Sequence, residues 1–209
     1  MSIEIFQLGL STDAEWCPEH PCITRVHLDK LNLGEYQDNR LAELRIYMSD
    51  VPSKSNADFV GFFSRRYNTK FAPCMPLEML ASRLAVQPPA PNEVVVAAPI
   101  VDWYRATTVD HPGMEKYLRE LMVLTNIPMD RIAFWSNQFF CHKQVYLAFE
   151  AWFRQWFGVF HAKYGYNYSY SGCEPWPGRH AGVLYERFTM AYFSSRSDLV
   201  INKIPKIEP

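Results

Sequence analysis

Two uninterrupted apolar runs, Phe59-Val60-Gly61-Phe62-Phe63 and Val94-Val95-Val96-Ala97-Ala98, constrain this chain more than any other feature. Each is too short for a helix and lacks the alternation of a strand with one wet face, so each reads as a strand covered on both sides. Strands of that kind need helices packed above and below them, and helical patterns do alternate with strands along the sequence. Ile3 to Leu10 reads as an opening strand punctuated by Gly9, and Ile23 to Leu28 as a second strand. Asp38 to Ser49 has helical spacing, with Leu41, Leu44, Tyr47 and Met48 on one face and Asp38 or Asn39 as the cap. Further helices are expected over Leu77–Leu84, Met114–Leu124, Lys143–Phe160 and Ala181–Ser194. Asn137 to Cys141 and Leu199 to Ile201 supply more strands. The expectation is a single α/β domain over residues 1–209, with a mostly parallel or mixed central sheet flanked by helices. The proline-rich stretch Gln87–Asn92 reads as an exposed loop inside that domain. Tyr164–Gly178, rich in Tyr, Gly, Ser and Pro, is long enough to suggest a functional loop.

Charge excludes some functions. The formal net charge is −1, with no polybasic run, so nothing in the chain demands a phosphate-backbone partner. No apolar stretch is long enough to span a bilayer. Met1-Ser2-Ile3-Glu4 runs directly into a strand, without the basic start and apolar core of a secretory leader. The five cysteines are odd in number and scattered, which points to a reduced, cytoplasmic setting. Cys17 and Cys22, with His20 and His27 nearby, have no second pair at zinc-finger spacing and read as loop thiols. The 15% aromatic content supplies core, and also flat surfaces for stacking on sugars or bases.

Four polar constellations carry the chemistry. Asp38, Asn39 and Glu43 open the first predicted helix; the plain reading is a cap, and the functional one is a polar helix start facing sugar or ribose hydroxyls. Arg65, Arg66 and Tyr67 end the Phe59–Phe63 strand; they are either a solvated strand end or a diphosphate clamp. The guanidinium fork binds phosphate bidentately and stays charged at any relevant pH, and open α/β sheets bind ligands at strand ends. Asn137 and Gln138 precede another strand and suit either backbone satisfaction or hydroxyl reading, with His142 nearby as a cap. Glu186-Arg187 in the last helix is either an internal ion pair or a carboxylate aimed into a cleft. Asp102, Asp110 and His111 compete with Glu186 as bases from the loop after the valine strand. Asp58 reads as a cap, a salt-bridge partner or a metal ligand, and no Asp-x-Asp pair occurs anywhere. Dinucleotide, P-loop, nucleophile-elbow and zincin signatures are all missing.

Taken in order, Gln37-Asp38-Asn39-Arg40-Leu41-Ala42-Glu43, Ala57-Asp58-Phe59-Val60-Gly61-Phe62-Phe63-Ser64-Arg65-Arg66-Tyr67, Asn137-Gln138-Phe139 and Glu186-Arg187 resemble a known group. It is that of small bacterial and phage glycosyltransferases of the capsular-polysaccharide type, related to the domain-of-unknown-function group 4422. There a His-Tyr-Arg-Arg strand end stands where this chain has Phe63-Ser64-Arg65-Arg66, and Asn-Met-Phe where it has Asn137-Gln138-Phe139. The resemblance implies a GT-A-like fold and sugar transfer from a nucleoside-diphosphate sugar. It implies a donor cleft lined by Asp38, Asn39, Glu43, Arg65, Arg66 and Tyr67, and acceptor or sugar contacts from Asn137, Gln138 and Trp176. Glu186 would be the base, with Asp102 second. The arginines would replace or supplement a manganese or magnesium ion, for which Asp58 is the candidate ligand. The default acceptor is a surface or capsular glycan. Two rival readings stand beside it. One is a phage enzyme that glycosylates hydroxymethylated DNA bases, with Trp176, Tyr166, Tyr168 and Tyr170 stacking on an extruded base. The other is a carbohydrate-binding module without turnover.

Overall fold

The fold is given by a computed structural model that describes residues 1–37, 39–71, 74–97, 108–128, 137–171 and 179–205. Six strands form one sheet: β1 (Ile3–Gly9), β2 (Ile23–His27), β3 (Phe59–Ser64), β4 (Glu93–Val96), β5 (Phe139–His142) and β6 (Val200–Lys203). Their spatial order is β2-β1-β3-β5-β4-β6. The sheet is mixed: β1 is parallel to both β2 and β3, β5 runs antiparallel to β3 and β4, and β6 is parallel to β4. The helices are α1 (Val51–Lys54), α2 (Tyr67–Lys70), α3 (Leu77–Val86), α4 (Glu115–Thr125), α5 (Lys143–Tyr164) and α6 (His180–Ser195).

The apolar runs are buried on both faces because alternate side chains enter two separate cores. Val60 and Phe62 of β3, Val94 and Val96 of β4, and Phe139 of β5 join the larger core, against α4, α5 and α6. Phe59, Phe63, Val95 and Phe140 point the other way, onto Leu77, Leu80 and Leu84 of α3. Gly61 faces the smaller core. A Cβ there would lie 2.8 Å from Cδ2 of Phe140 and 3.1 Å from Cε2 of Phe63, so only glycine leaves room for those rings. In the larger core Phe149 and Phe153 of α5 meet Tyr47 edge-on, with centroids 5.1 and 5.3 Å away, the geometry that aromatic quadrupoles prefer.

One expected element differs. Residues Asn39–Met48 are not a regular α-helix but 3-10 turns broken at Ala42, whose φ of 48° and ψ of −126° lie outside any helical region. Leu41, Leu44 and Tyr47 are still buried, as the spacing predicts. Arg45 is buried too, at 2% exposure, and so is Ile46, at 0%, which a continuous helix would place opposite Leu41 and Leu44. The Arg45 Nε–H donates to the Ala42 carbonyl at 3.1 Å and ties the two halves of the segment together. Such backbone strain costs on the order of 1–3 kcal/mol and persists only where surrounding structure fixes it. Part of that fixing comes from α6: Gly182 packs on the Arg40 carbonyl so closely that a Cβ would stand 2.8 Å from the oxygen.

No helix among the described residues is long and apolar enough to cross a membrane.

Candidate active site

The sheet topology determines which residues meet. β1, β2 and β3 run in one direction, so Gly9, His27 and Ser64 end at one edge of the sheet. β5 runs the other way, and Phe139 pairs with Phe62, so its start brings Asn137 and Gln138 to that same edge. The backbone N–H of Arg65 donates to the Leu8 carbonyl at 2.9 Å, extending the ladder one residue beyond β3. Arg66 then leads into α2, which carries Lys70.

At this edge lies an open cavity of about 510 Å³, between Leu8–Leu10 on one side and Ala42, Glu43 and Ser64 on the other. Five cations line it: Arg45, Arg65, Arg66, Lys70 and Arg179, the last from the residue before α6. Among the described residues two carboxylates, Asp13 and Glu43, accompany them. A smaller cavity of about 60 Å³ shares Ala42, Glu43, Lys70 and Arg179, and adds Arg40, Asn137, Gly182 and Glu186. Glu43, Arg65, Arg66, Asn137 and Glu186, scattered over the sequence, therefore converge.

The cations are held differently. Arg65 is mostly buried and already engaged: its Nε lies 2.5 Å from Asp13 Oδ2 and its Nη1 3.4 Å from Glu15 Oε2. Asp13 is fixed in turn, since Oδ2 also accepts the Leu10 backbone N–H at 2.6 Å. Gly9 makes this possible, because a Cβ there would lie about 3 Å from Trp16, Arg65 and Asp13. Arg66 is exposed, and no ion pair among the described residues holds it. Arg45 is buried behind them.

Glu43 is half-buried, and burial pushes its carboxyl above the usual carboxylate range. A hydrogen bond from Ser64 and the charges of Lys70 and Arg179 act against the rise, while the neighbouring Glu186 carboxylate adds to it. Glu186 itself lies 3.8 Å from Nη1 of Arg187, which is buried within α6. That pair is thus a partly buried one. Asn137 is 4% exposed, and its Oδ1 finds no hydrogen-bond donor among the described residues.

Several expectations need correction. Tyr67 does not face the cavity: its ring is buried beside Phe63 and Phe71, and its hydroxyl donates to the Met75 carbonyl at 2.9 Å. The chain turns into α2 at this residue, which sends the tyrosine into the α3-side core. Asp58 is at the opposite edge of the sheet, where its carboxylate accepts from the Ser2 backbone N–H at 2.7 Å and the Ser2 hydroxyl at 3.2 Å. Gln138 is buried and lines neither cavity. Tyr168 and Tyr170 are core residues, packed on Tyr117, and Tyr166 lies under the Arg40 guanidinium at 4.4 Å, so these rings are not displayed for stacking. His142 caps α5, accepting the Gln144 N–H at 3.3 Å. Cys17 is buried with its thiol 3.1 Å from Gln7 Oε1. Asp38, Asp102 and Trp176 lie outside the described residues, and of Asn39 the structure shows only that it opens the 3-10 segment. Sequence reasoning missed Arg45, Lys70 and Arg179.

Among the described residues no cluster of three or more His, Cys, Asp or Glu is placed to hold a metal ion. Of the described residues at this cavity, Asp13 and Glu43 stand among five cations and by themselves do not make a divalent-ion site.

Comparison with known proteins bears on the fold. The chain is similar to the apo structure of WbbM, a bifunctional glycosyltransferase, with a TM-score of 0.61 and 13% identity. The match covers 97% of this chain and 44% of that one, so the chain spans less than half the length of its structural neighbour. At that identity the likeness shows the fold, which is a GT-A-like α/β domain. No family model matches the sequence. No curated protein matches it either.

Proposed function

We propose that this domain is a glycosyltransferase that takes a sugar from a nucleoside-diphosphate sugar to a hydroxyl acceptor. The observation that carries this reading is the cation-lined cavity at the C-terminal ends of β1 and β3 in a GT-A-like fold. Ligands of open α/β sheets settle at that edge, and a diphosphate is the chemistry that cations from three separate elements serve best. Arg66, Lys70 and Arg179 would take the diphosphate, with buried Arg45 reinforcing the field; Arg65 serves chiefly to hold the Asp13 loop. Fixed cations of this kind stabilise the charge that develops on the leaving diphosphate, where preorganised electrostatics helps most. Glu186, beside the shared wall of the two cavities, would deprotonate the acceptor hydroxyl. Glu43 would bond to the ligand from the wall that the two cavities share. A surface or capsular glycan is the acceptor this reading favours, in keeping with the sequence resemblance.

The test is calorimetric titration with uridine, guanosine and thymidine diphosphates and their sugar conjugates, with and without manganese or magnesium. Binding of one nucleoside diphosphate, lost in Arg66→Ala, supports the reading. Absence of binding by every nucleotide, with or without metal, overturns it.

A further inference from the structure

The smaller cavity has its own chemistry. At about 60 Å³ it is far too small for a sugar ring, and close to the room that two water-sized groups occupy. Its polar lining is mixed: Asn137 and the carboxyl groups of Glu43 and Glu186 stand beside Arg40, Lys70 and Arg179. Asn137 is 4% exposed, and its Oδ1 meets no donor among the described residues. An acceptor buried in that state is destabilising unless something donates to it. The cavity is also well defined mechanically. Gly182 brings α6 against the Arg40 carbonyl, and the Ala42 break sets the opposite wall.

We propose that this cavity is a subsite that reads one hydroxyl, or an adjacent pair, on the sugar of the bound nucleotide, with Asn137 as the specificity-determining residue. The proposal rests on the transferase reading above. Three features select a hydroxyl over other donors. The cavity shares its Glu43, Lys70 and Arg179 walls with the diphosphate cavity, so a sugar attached to that diphosphate stands at its mouth. Arg40, Lys70 and Arg179 line it too, and their charges oppose an ammonium group or a metal cation there, but not a neutral hydroxyl. The volume of about 60 Å³ admits a substituent, not a ring. A site built this way discriminates sharply. An analogue lacking the hydroxyl leaves Asn137 Oδ1 and a carboxyl group unpaired, and sites that hydrogen-bond a substrate hydroxyl can reject the deoxy analogue by as much as roughly 10⁴–10⁵-fold.

The experiment compares, on the full chain, a nucleoside diphosphate, its sugar conjugate, and the monodeoxy and deoxyfluoro forms of that conjugate at each ring position. Uridine and guanosine diphosphates with their glucose, galactose and mannose conjugates are the starting probes. The wild type is expected to lose about 100-fold or more in affinity at one ring position and less than threefold at the others. In Asn137→Ala that position-specific loss is expected to shrink to a few-fold, while affinity for the free nucleoside diphosphate stays within about twofold. Native fold is checked by circular dichroism, and the wild-type analogue series stands even where the variant is unstable. The inference fails if every deoxy conjugate binds within threefold of its parent while the nucleoside diphosphate binds normally. It fails equally if the selective loss persists undiminished in a folded Asn137→Ala. If no nucleoside diphosphate binds at all, the transferase reading falls and takes the subsite with it.

Discussion

At its start β3 follows Asp58, whose carboxylate is taken up by the backbone N–H and hydroxyl of Ser2. Six residues later the same strand delivers Arg65 and Arg66 to an open cavity. Both ends are polar, and both looked like candidate sites in the sequence. They differ in what surrounds the charge. At the Asp58 end β1 and β3 begin together, so the chain's own first residues supply the donors. At the Arg66 end the parallel strands stop while β5 begins, and α2, α6 and the 3-10 segment arrive with more cations than carboxylates. A charge satisfied by its own backbone stabilises; an exposed charge such as Arg66, held by no ion pair among the described residues, is placed to take a ligand.

Substitutions at the two ends separate these roles. The largest effect is expected from Glu186→Gln, which should lower kcat by roughly 10²–10⁴-fold with little change in donor affinity, as for loss of a general base. Steady-state kinetics checks it, and an unchanged kcat would remove Glu186 from the chemistry. Arg66→Ala should weaken nucleoside-diphosphate binding by roughly 10- to 100-fold, the value of losing charge-assisted hydrogen bonds. Arg65→Ala, already paired with Asp13 and Glu15, should weaken it only a few-fold. Equal losses in calorimetry would erase the distinction between the two arginines. Between the ends, Gly61→Ala should destabilise the fold by about 1–3 kcal/mol through overpacking against Phe140, read from urea unfolding.

The pH dependence should also differ in sign. Glu43 has a raised carboxyl pKa in the fold, so its contribution to stability is present below its unfolded value of about 4.3 and is lost as pH rises through the folded value. Glu43→Gln is therefore expected to melt higher than wild type at pH 7, with the gap closing towards pH 4. Asp58 is held below its usual range by the Ser2 backbone bond, so its contribution is present above about pH 3.9 and is lost as pH falls through the folded value. Asp58→Asn should melt slightly lower than wild type at pH 7, with the gap closing in acid and nucleotide binding untouched. Melting curves across pH 3–8 check both, and a shift of the same sign for the two variants would break the contrast.

The sheet was legible because double burial leaves a plain trace in sequence: runs such as Phe59–Phe63 and Val94–Val96 have no other comfortable setting. Glu43, Arg65, Arg66, Asn137 and Glu186 were legible as separate polar groups at element ends. Their meeting was not, since it depends on β5 running antiparallel, and strand direction leaves no mark in local composition. Lys70 escaped notice because Asn68-Thr69-Lys70 resembles any solvated turn. Arg45 escaped because a charged residue on the flank of an amphipathic helix reads as solvated, whereas here it is buried in the segment broken at Ala42. Tyr67 was misplaced by treating the residues after β3 as a continued strand, when α2 begins there.

That break has a consequence for tolerated variation. Ala42 occupies a backbone basin that glycine enters freely and every other residue enters at a penalty. Position 42 should therefore behave unusually in a saturation library. Glycine would rank above the wild-type residue for yield and melting temperature, and β-branched residues would rank last. The walls of both cavities would register the same ordering, because the residue that sets them is held there by its neighbours against its own preference.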